Sequence, residues 1–246
     1  MKLIKLDAID STNDFLKAIS SKDELDNFTV VTAENQTKGK GQMGSKWQSE
    51  SGKNLIMSAL VKDFVFDNEQ VFNLSLIVSL SVIEVLKSLN IPDLSIKWPN
   101  DIMSYNKKIG GILIENTIKS DGRIVSVVGL GLNVNQTNFD ELPNASSLAV
   151  ILGKPFDKMI LPELIIEKIK EKINSWETSA SVFWNEYYNT LFRKGIPMPF
   201  KNLNSDNFGQ NFMGIIQGVS STGKLQVLLE DDSVSEFEIK EIQMLY

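Results

Sequence analysis

Leu3, Ile4 and Leu6 are interleaved with charged residues, a pattern that predicts an edge strand at the start of the chain. Asp10, Ser11, Thr12 and Asn13 follow with several candidate N-caps for a helix through Ser20. Residues 28–32 have the composition of a second strand, and 54–61, apolar on both sides, of a third. From 71 to 89 apolar residues fall on nearly every helical face, which predicts a long helix buried in a larger domain, and Pro92 prevents its continuation. Residues 94–98, 109–118 and 123–134 read as central strands of a mixed or antiparallel sheet. Lys119-Ser120-Asp121-Gly122 supplies hairpin chemistry between the last two. Pro162 marks the first turn of a helix with Leu164, Ile165, Ile169, Ile173 and Trp176 on its inner stripe, and a further helix is expected over 182–192. Beyond Gly195 short strand-like runs alternate with Gly214, Gly218, Gly223 and the acidic turn Glu230-Asp231-Asp232. The pattern predicts two unequal domains, 1–194 and a small β-barrel-like unit over 195–246.

Composition removes whole classes of chemistry. The 246 residues include no cysteine and no histidine, which excludes disulfides, thiolate or imidazole metal sites, and Ser-His-Asp or Cys-His triads. Acid-base work must fall to Lys, Asp, Glu or Tyr. No apolar run near the N-terminus resembles a signal peptide or a membrane span, so a cytoplasmic protein with no membrane partner is expected. A net charge of −6 argues against general nucleic-acid binding. One enclave differs: Lys38, Lys40, Lys46 and Lys53 face only Glu50, among four glycines, which suits a small anionic ligand.

Gly39, Gly41 and Gly44 spell Gly-x-Gly-x-x-Gly, yet Ser45-Lys46-Trp47 and a polar stretch follow instead of an apolar helix, so the dinucleotide-binding reading fails on context. The glycines let backbone N–H groups approach a phosphate and let the segment fold over a ligand. Taken alone, a solvated lysine-decorated loop accounts for it equally well. Lys97-Trp98-Pro99-Asn100-Asp101 brings an acid and an amide close to Lys108, which immediately precedes Ile109-Gly110-Gly111-Ile112. Its bland alternative is a strand end broken by proline. Gly129 and Gly131 repeat the bare backbone on the next strand, and glycines inside two neighbouring strands suggest a ligand floor, with Leu130, Leu132 and Val134 in the core.

Taken together and in order, these motifs closely resemble those of the biotin protein ligases, also called biotin–[acetyl-CoA-carboxylase] ligases. The similarity runs through Ser11-Thr12-Asn13, Gln36, residues 39–47, 97–101, 108–115 and 129–133 and the C-terminal unit. It implies an α+β fold: a mixed-sheet catalytic domain of the class II aminoacyl-tRNA synthetase and biotin ligase type, flanked by helices, with a small C-terminal SH3-like barrel. It further implies ATP-dependent, AMP-forming chemistry, in which biotin and MgATP give biotinyl-5′-AMP and pyrophosphate. A lysine of a biotin carboxyl carrier domain then takes the biotinyl group.

By matching positions, the resemblance makes Lys108, Asp101 and Asn100 catalytic. It assigns biotin to Ser11, Thr12, Asn13, Gln36, Lys40, Gly41, Gln42, Lys108, Gly110 and Gly111. ATP or the adenylate falls to Gly39, Gly44, Ser45, Trp47, Lys97 and Asn133. Asp101 would either hold Mg²⁺ or orient the acceptor lysine. A monomer or homodimer is expected. The nearest rival is a lipoate or octanoate ligase, whose aliphatic substrate has no need of the polar Ser11-Thr12-Asn13 cluster; a non-enzymatic biotin or nucleotide sensor is the rival from another class.

Two departures generate predictions. Many relatives carry arginines in the glycine segment where this chain has Lys40, Gln42 and Ser45, which are weaker or neutral partners for phosphate. Gln42→Arg is therefore expected to slow adenylate dissociation, and an unchanged off-rate in the variant refutes that account. The chain also begins directly at the strand before Ser11, without the winged helix of repressor-type relatives, so no sequence-specific DNA binding is expected; a salt-sensitive mobility shift with a short operator fragment would contradict this.

Overall fold

The computed structural model describes residues 2–65, 70–204 and 208–246. Seven strands form one mixed sheet: β1 (Leu3–Ile9), β2 (Val30–Gln36), β3 (Leu55–Lys62), β4 (Leu94–Lys97), β5 (Asp101–Ser104), β6 (Lys107–Ile118) and β7 (Ile124–Leu132). Their spatial order is β1-β2-β3-β7-β6-β5-β4. Only β1 and β2 pair in parallel, connected by helix α1 (Thr12–Lys22); the other neighbours are antiparallel.

Strand alternation sends successive side chains to opposite faces, and the two faces are covered differently. Leu16 of α1 is buried with Val31, Leu60, Val125 and Val127 on one face. Val30, Ala59, Val128 and Leu130, each one residue out of step with that set, join the larger core on the other. That core is built on helix α2 (Val71–Ser88); after the short α3 (Leu148–Leu152), α4 (Leu161–Asn174) and α5 (Trp176–Thr190) pack against α2. By length and composition α2 could cross a bilayer, but most of it is buried inside the protein, as expected for a core helix. Its buried hydroxyls are satisfied internally, Ser79 donating to the Ser75 carbonyl and Ser81 to that of Ile77.

A second, five-stranded antiparallel sheet holds β8 (Pro197–Asn202), β9 (Asn211–Val219), β10 (Leu225–Leu229), β11 (Val234–Phe237) and β12 (Ile242–Met244), in the order β11-β10-β9-β8-β12. Residues 205–207 of this unit lie outside the described residues. The hydrophobic core runs without interruption from the first sheet into the second. Polar contacts add to the join: Trp98 Nε1 donates to the Gly223 carbonyl at 2.8 Å and Tyr188 to that of Val219 at 2.9 Å. Gly223 has φ +92°, and a Cβ there would strike the Phe72 ring.

Three element boundaries differ from the sequence expectation. The second strand starts at Val30, because Phe28 takes a positive φ of 61° and its N–H turns to the Leu60 carbonyl. β5 is an additional strand, four residues long, immediately after the Trp98–Asn100 turn. Trp176 opens α5 instead of closing the preceding helix, since Ser175 leaves helical geometry at φ −99°, ψ 5°.

Glu84 of α2 accepts from Lys172 at 2.5 Å and from Lys168 at 3.0 Å, tying α2 to α4. Partial burial pushes the Glu84 carboxyl upward, but the hydrogen bonds from the two lysines outweigh it and hold the group below its ordinary value. A depressed carboxyl contributes stability that is complete above the unfolded-state value, about pH 4.3, and is lost as the pH falls through the folded-state value. Thermal melts between neutral and acidic pH are therefore expected to show Glu84→Gln less stable than the native protein at neutral pH, with the gap closing on acidification. A gap that is constant with pH contradicts this.

Candidate active site

One row of residues crosses the first sheet and forms the floor of a cavity. Ile56 of β3 stands opposite Gly131 of β7, Gly131 opposite Gly111 of β6, and Gly111 opposite Asp101 of β5. The next row along is Ser58, Gly129 and Leu113. Without side chains at Gly111, Gly129 and Gly131, the middle of the floor is bare backbone. The Trp47 ring occupies the place that a Cβ on Gly131 would need, and the Asn13 amide that of a Cβ on Gly129. The cavity encloses about 240 Å³.

At one end stands charge. The β5–β6 hairpin turns through Tyr105, at φ 52°, and a bulge between Ile102 and Met103 brings Lys108 opposite Met103. Lys108 and Asp101 thereby meet on the cavity side, with Nζ 2.6 Å from Oδ1. Lys97, paired with Asp101 across β4 and β5, places its ammonium 3.8 Å from Oδ2 and 4.9 Å from the Tyr246 ring centroid. Asn100 fixes the turn before β5: its Nδ2 donates to the Ile112 carbonyl, and its own carbonyl accepts from Ile112 N–H. Trp47 lies 5.7 Å from Lys108 Nζ, and its Nε1 is buried without a hydrogen-bond partner among the described residues. A buried donor of that kind is costly unless a ligand supplies an acceptor.

The other end is neutral and polar. Ser11 caps α1, its Oγ accepting from Asp14 N–H at 3.3 Å, which directs Thr12 and Asn13 of the first turn to the cavity. Gln36 Oε1 accepts from Thr12 N–H at 2.7 Å and lies 3.0 Å from the Thr12 hydroxyl. Buried Ser58 donates to Asn13 Oδ1 at 2.6 Å and is hydrogen-bonded to the Thr12 hydroxyl at 2.7 Å. Asn13 Nδ2 is taken up by Glu115 at 2.7 Å and the Leu113 carbonyl at 3.3 Å. Between the two ends Ile56 and Leu113, on the same face as the glycines, contribute apolar wall.

Residues 39–47 fold over this opening. Trp47 N–H donates to the Gly39 carbonyl at 3.0 Å and Gly41 N–H to that of Ser45 at 2.7 Å, while Met43 takes φ 52°. A Cβ on Gly39 would collide with the Trp47 carbonyl, so the tight fold requires glycine there, whereas one on Gly41 would meet Ser45 Oγ and displace that hydroxyl. Lys40 is anchored to Asp14 at 2.6 Å and Lys38 to Asp10 at 2.8 Å. Partial burial raises the Asp14 carboxyl, but hydrogen bonds from Lys40 and Lys17 outweigh it and leave the group below its ordinary value.

Ser11, Thr12, Asn13, Gln36, Lys40, Gly41, Gln42, Ser45, Trp47, Asn100, Asp101, Lys108 and Gly111 all line this one cavity. Gly39 and Gly44 lie in the adjoining recess beneath the folded segment. Gly110 is buried in β6, packed close to the Gly131 carbonyl and Leu132. Asn133 is also buried, its Nδ2 donating to the Ser146 carbonyl at 3.0 Å, and Lys97 stands behind Asp101. Sequence reasoning passed over Ser58, a lone hydroxyl in an otherwise apolar strand, and Glu115, although each bonds to a residue of the polar end. Asp101 is the single carboxylate lining the cavity, and no group of three potential metal ligands exists among the described residues.

Comparison with known proteins agrees with this geometry. The Biotin/lipoate A/B protein ligase family matches residues 6–135. The bifunctional ligase/repressor BirA of Salmonella typhimurium is 30% identical over 235 residues, spanning 93% of this chain and 69% of that protein. The biotin–[acetyl-CoA-carboxylase] ligase of Mycobacterium tuberculosis is 26% identical, over 87% of this chain and 79% of its own. Among solved structures, the biotin protein ligase from Aquifex aeolicus in complex with biotin and ATP superposes with a TM-score of 0.79 at 29% identity, covering 99% of this chain and 98% of that one. A mixed sheet with a glycine floor, polar at one end and cationic at the other, thus belongs to a member of the Biotin/lipoate A/B protein ligase family, on its biotin protein ligase branch.

Proposed function

We propose that this protein activates biotin with MgATP and transfers it to a lysine of a biotin carboxyl carrier domain in the cytoplasm. The observation that carries the reading is the two-ended cavity. Gln36 Oε1 is already occupied by Thr12, which leaves the Gln36 amide N–H groups for a ligand carbonyl, and Asn13 Oδ1 keeps one lone pair for a ligand N–H. A cyclic urea has that complement of groups. Its carboxylate-bearing chain reaches toward Lys108 across Ile56, Leu113 and the bare backbone of Gly111 and Gly131. Lipoate carries the carboxylate but would leave the buried amides unmatched, at a cost of about 1–3 kcal/mol per unpaired group.

In the first step a biotin carboxylate oxygen attacks the α-phosphorus, forming the acyl–phosphate bond as the bond to pyrophosphate breaks. Lys108 faces the oxygens on which negative charge grows, and a fixed ammonium with little water around it stabilises that charge. Asp101, the single carboxylate lining the cavity, would hold a magnesium ion accompanying ATP, and the ion would supply neutralisation of phosphate charge. Trp47 Nε1 and Lys97 are available to the nucleotide. In the second step the acceptor amine attacks the acyl carbon, AMP departs and the new amide nitrogen gives up a proton; the alternative role for Asp101 is to orient the incoming lysine. Residues 195–246 form a smaller second unit, joined to the first through the shared core, that supports ATP and carrier engagement, consistent with the contact of Tyr246 on Lys97.

Pyrophosphate exchange into ATP tests the first half-reaction. Exchange is expected with biotin, with none for lipoate, octanoate or no acid, and Lys108→Ala is expected to reduce it by about a hundredfold or more. Exchange with lipoate alone would transfer the protein to the lipoate branch, and none with any acid would leave a binding module.

A further inference from the structure

Glu115 stands on β6 two residues beyond Leu113, opposite Val127 and on the side of α1, its carboxylate divided between two partners. Oε2 accepts from Asn13 Nδ2 and Oε1 from Lys17, both at 2.7 Å. The remaining Asn13 proton goes to the Leu113 carbonyl, while Oδ1 accepts from Ser58 and lies over Gly129. The two faces of an amide are nearly equal in shape, so its neighbours decide which atom points where. On the Nδ2 side both neighbours are pure acceptors, a carboxylate and a carbonyl. Turning the amide over would set its oxygen 2.7 Å from the Glu115 carboxylate.

We propose that Glu115 is a positioning residue for substrate selection: by locking the Asn13 amide it presents an acceptor, Oδ1, to a ureido N–H. The inference rests on the biotin reading of the cavity. Without the carboxylate, the reversed amide offers a donor where the ligand also has a donor, and cyclic ureas are rejected. Lys17, also 3.2 Å from Asp14, compensates the Glu115 charge so that it can stand beside the cavity.

The test is biotin-dependent pyrophosphate exchange in Glu115→Leu, in Asn13→Ala and in the double variant. Removing a charge-assisted hydrogen bond is expected to raise KM for biotin about tenfold, with kcat and KM for ATP little changed. On the Asn13→Ala background Glu115→Leu is expected to add nothing, because the residue acts through Asn13. Glu115→Gln, whose amide oxygen still accepts from Asn13, is expected to restore KM for biotin towards the native value. An unchanged KM in Glu115→Leu, an equal rise on both backgrounds, or a matching rise in KM for ATP overturns the proposal. Should Glu115→Leu fail to fold, Glu115→Asp, which keeps the charge but withdraws it by one methylene, is read in the same way. Native protein without biotin-dependent exchange refutes the biotin reading itself; native exchange with unaltered variants refutes only the role of Glu115.

Discussion

Gly111 opposite Gly131, within a row that runs from Ile56 to Asp101, leaves bare backbone in the middle of a twisted sheet where side chains would otherwise stand. Sheet register has a period of two, so a slip of one residue in β7 would bring Leu130 and Leu132 onto the floor and carry the glycines into the core against α2. The long apolar pairing of β6 with β7 makes that slip prohibitive. Hydrophobic burial on one face therefore secures the open space on the other. Trp47 and Asn13 are placed by the same register, because each sits where a missing Cβ allows it.

The electrostatics follow from the frame. Asp101 is held between Lys108 and Lys97 at the cationic end, and the overall acidity of the chain does not reach into the cavity. The folded glycine segment is moored by Lys38 and Lys40 to carboxylates at the start of α1, which draws the lysines outward. In a chain without histidine, ammonium and carboxylate groups set the charge that a substrate meets.

Hydrophobic periodicity made much of this legible in the sequence. The buried helix over α2, the alternation in β1 and the hairpin at 119–122 follow from local pattern, and the glycines at 111, 129 and 131 marked the floor. β5 escaped notice because four residues behind a proline carry too little periodicity to register as a strand. Ser58 and Glu115 escaped for another reason. A polar residue in a strand shows which face it shares only once the neighbouring strands are in register, and its hydrogen-bond partners lie 45 and 102 positions away. Lys40 finds its carboxylate 26 positions back, so the sequence could place it near the ligand without showing that Asp14 holds its charge.

The tie between Trp98 and the Gly223 carbonyl spans 125 positions, and that of Lys240 to the Met43 carbonyl spans 197. A ribosome makes β1 to β7 long before residue 223 exists, so the groups that brace the cavity's rim are among the last to be translated. The pocket is thus finished from the far end of the chain, and a nascent polypeptide halted after α5 would own the floor and both sets of polar groups but lack the struts that hold Trp98 and the crown of the glycine segment in place.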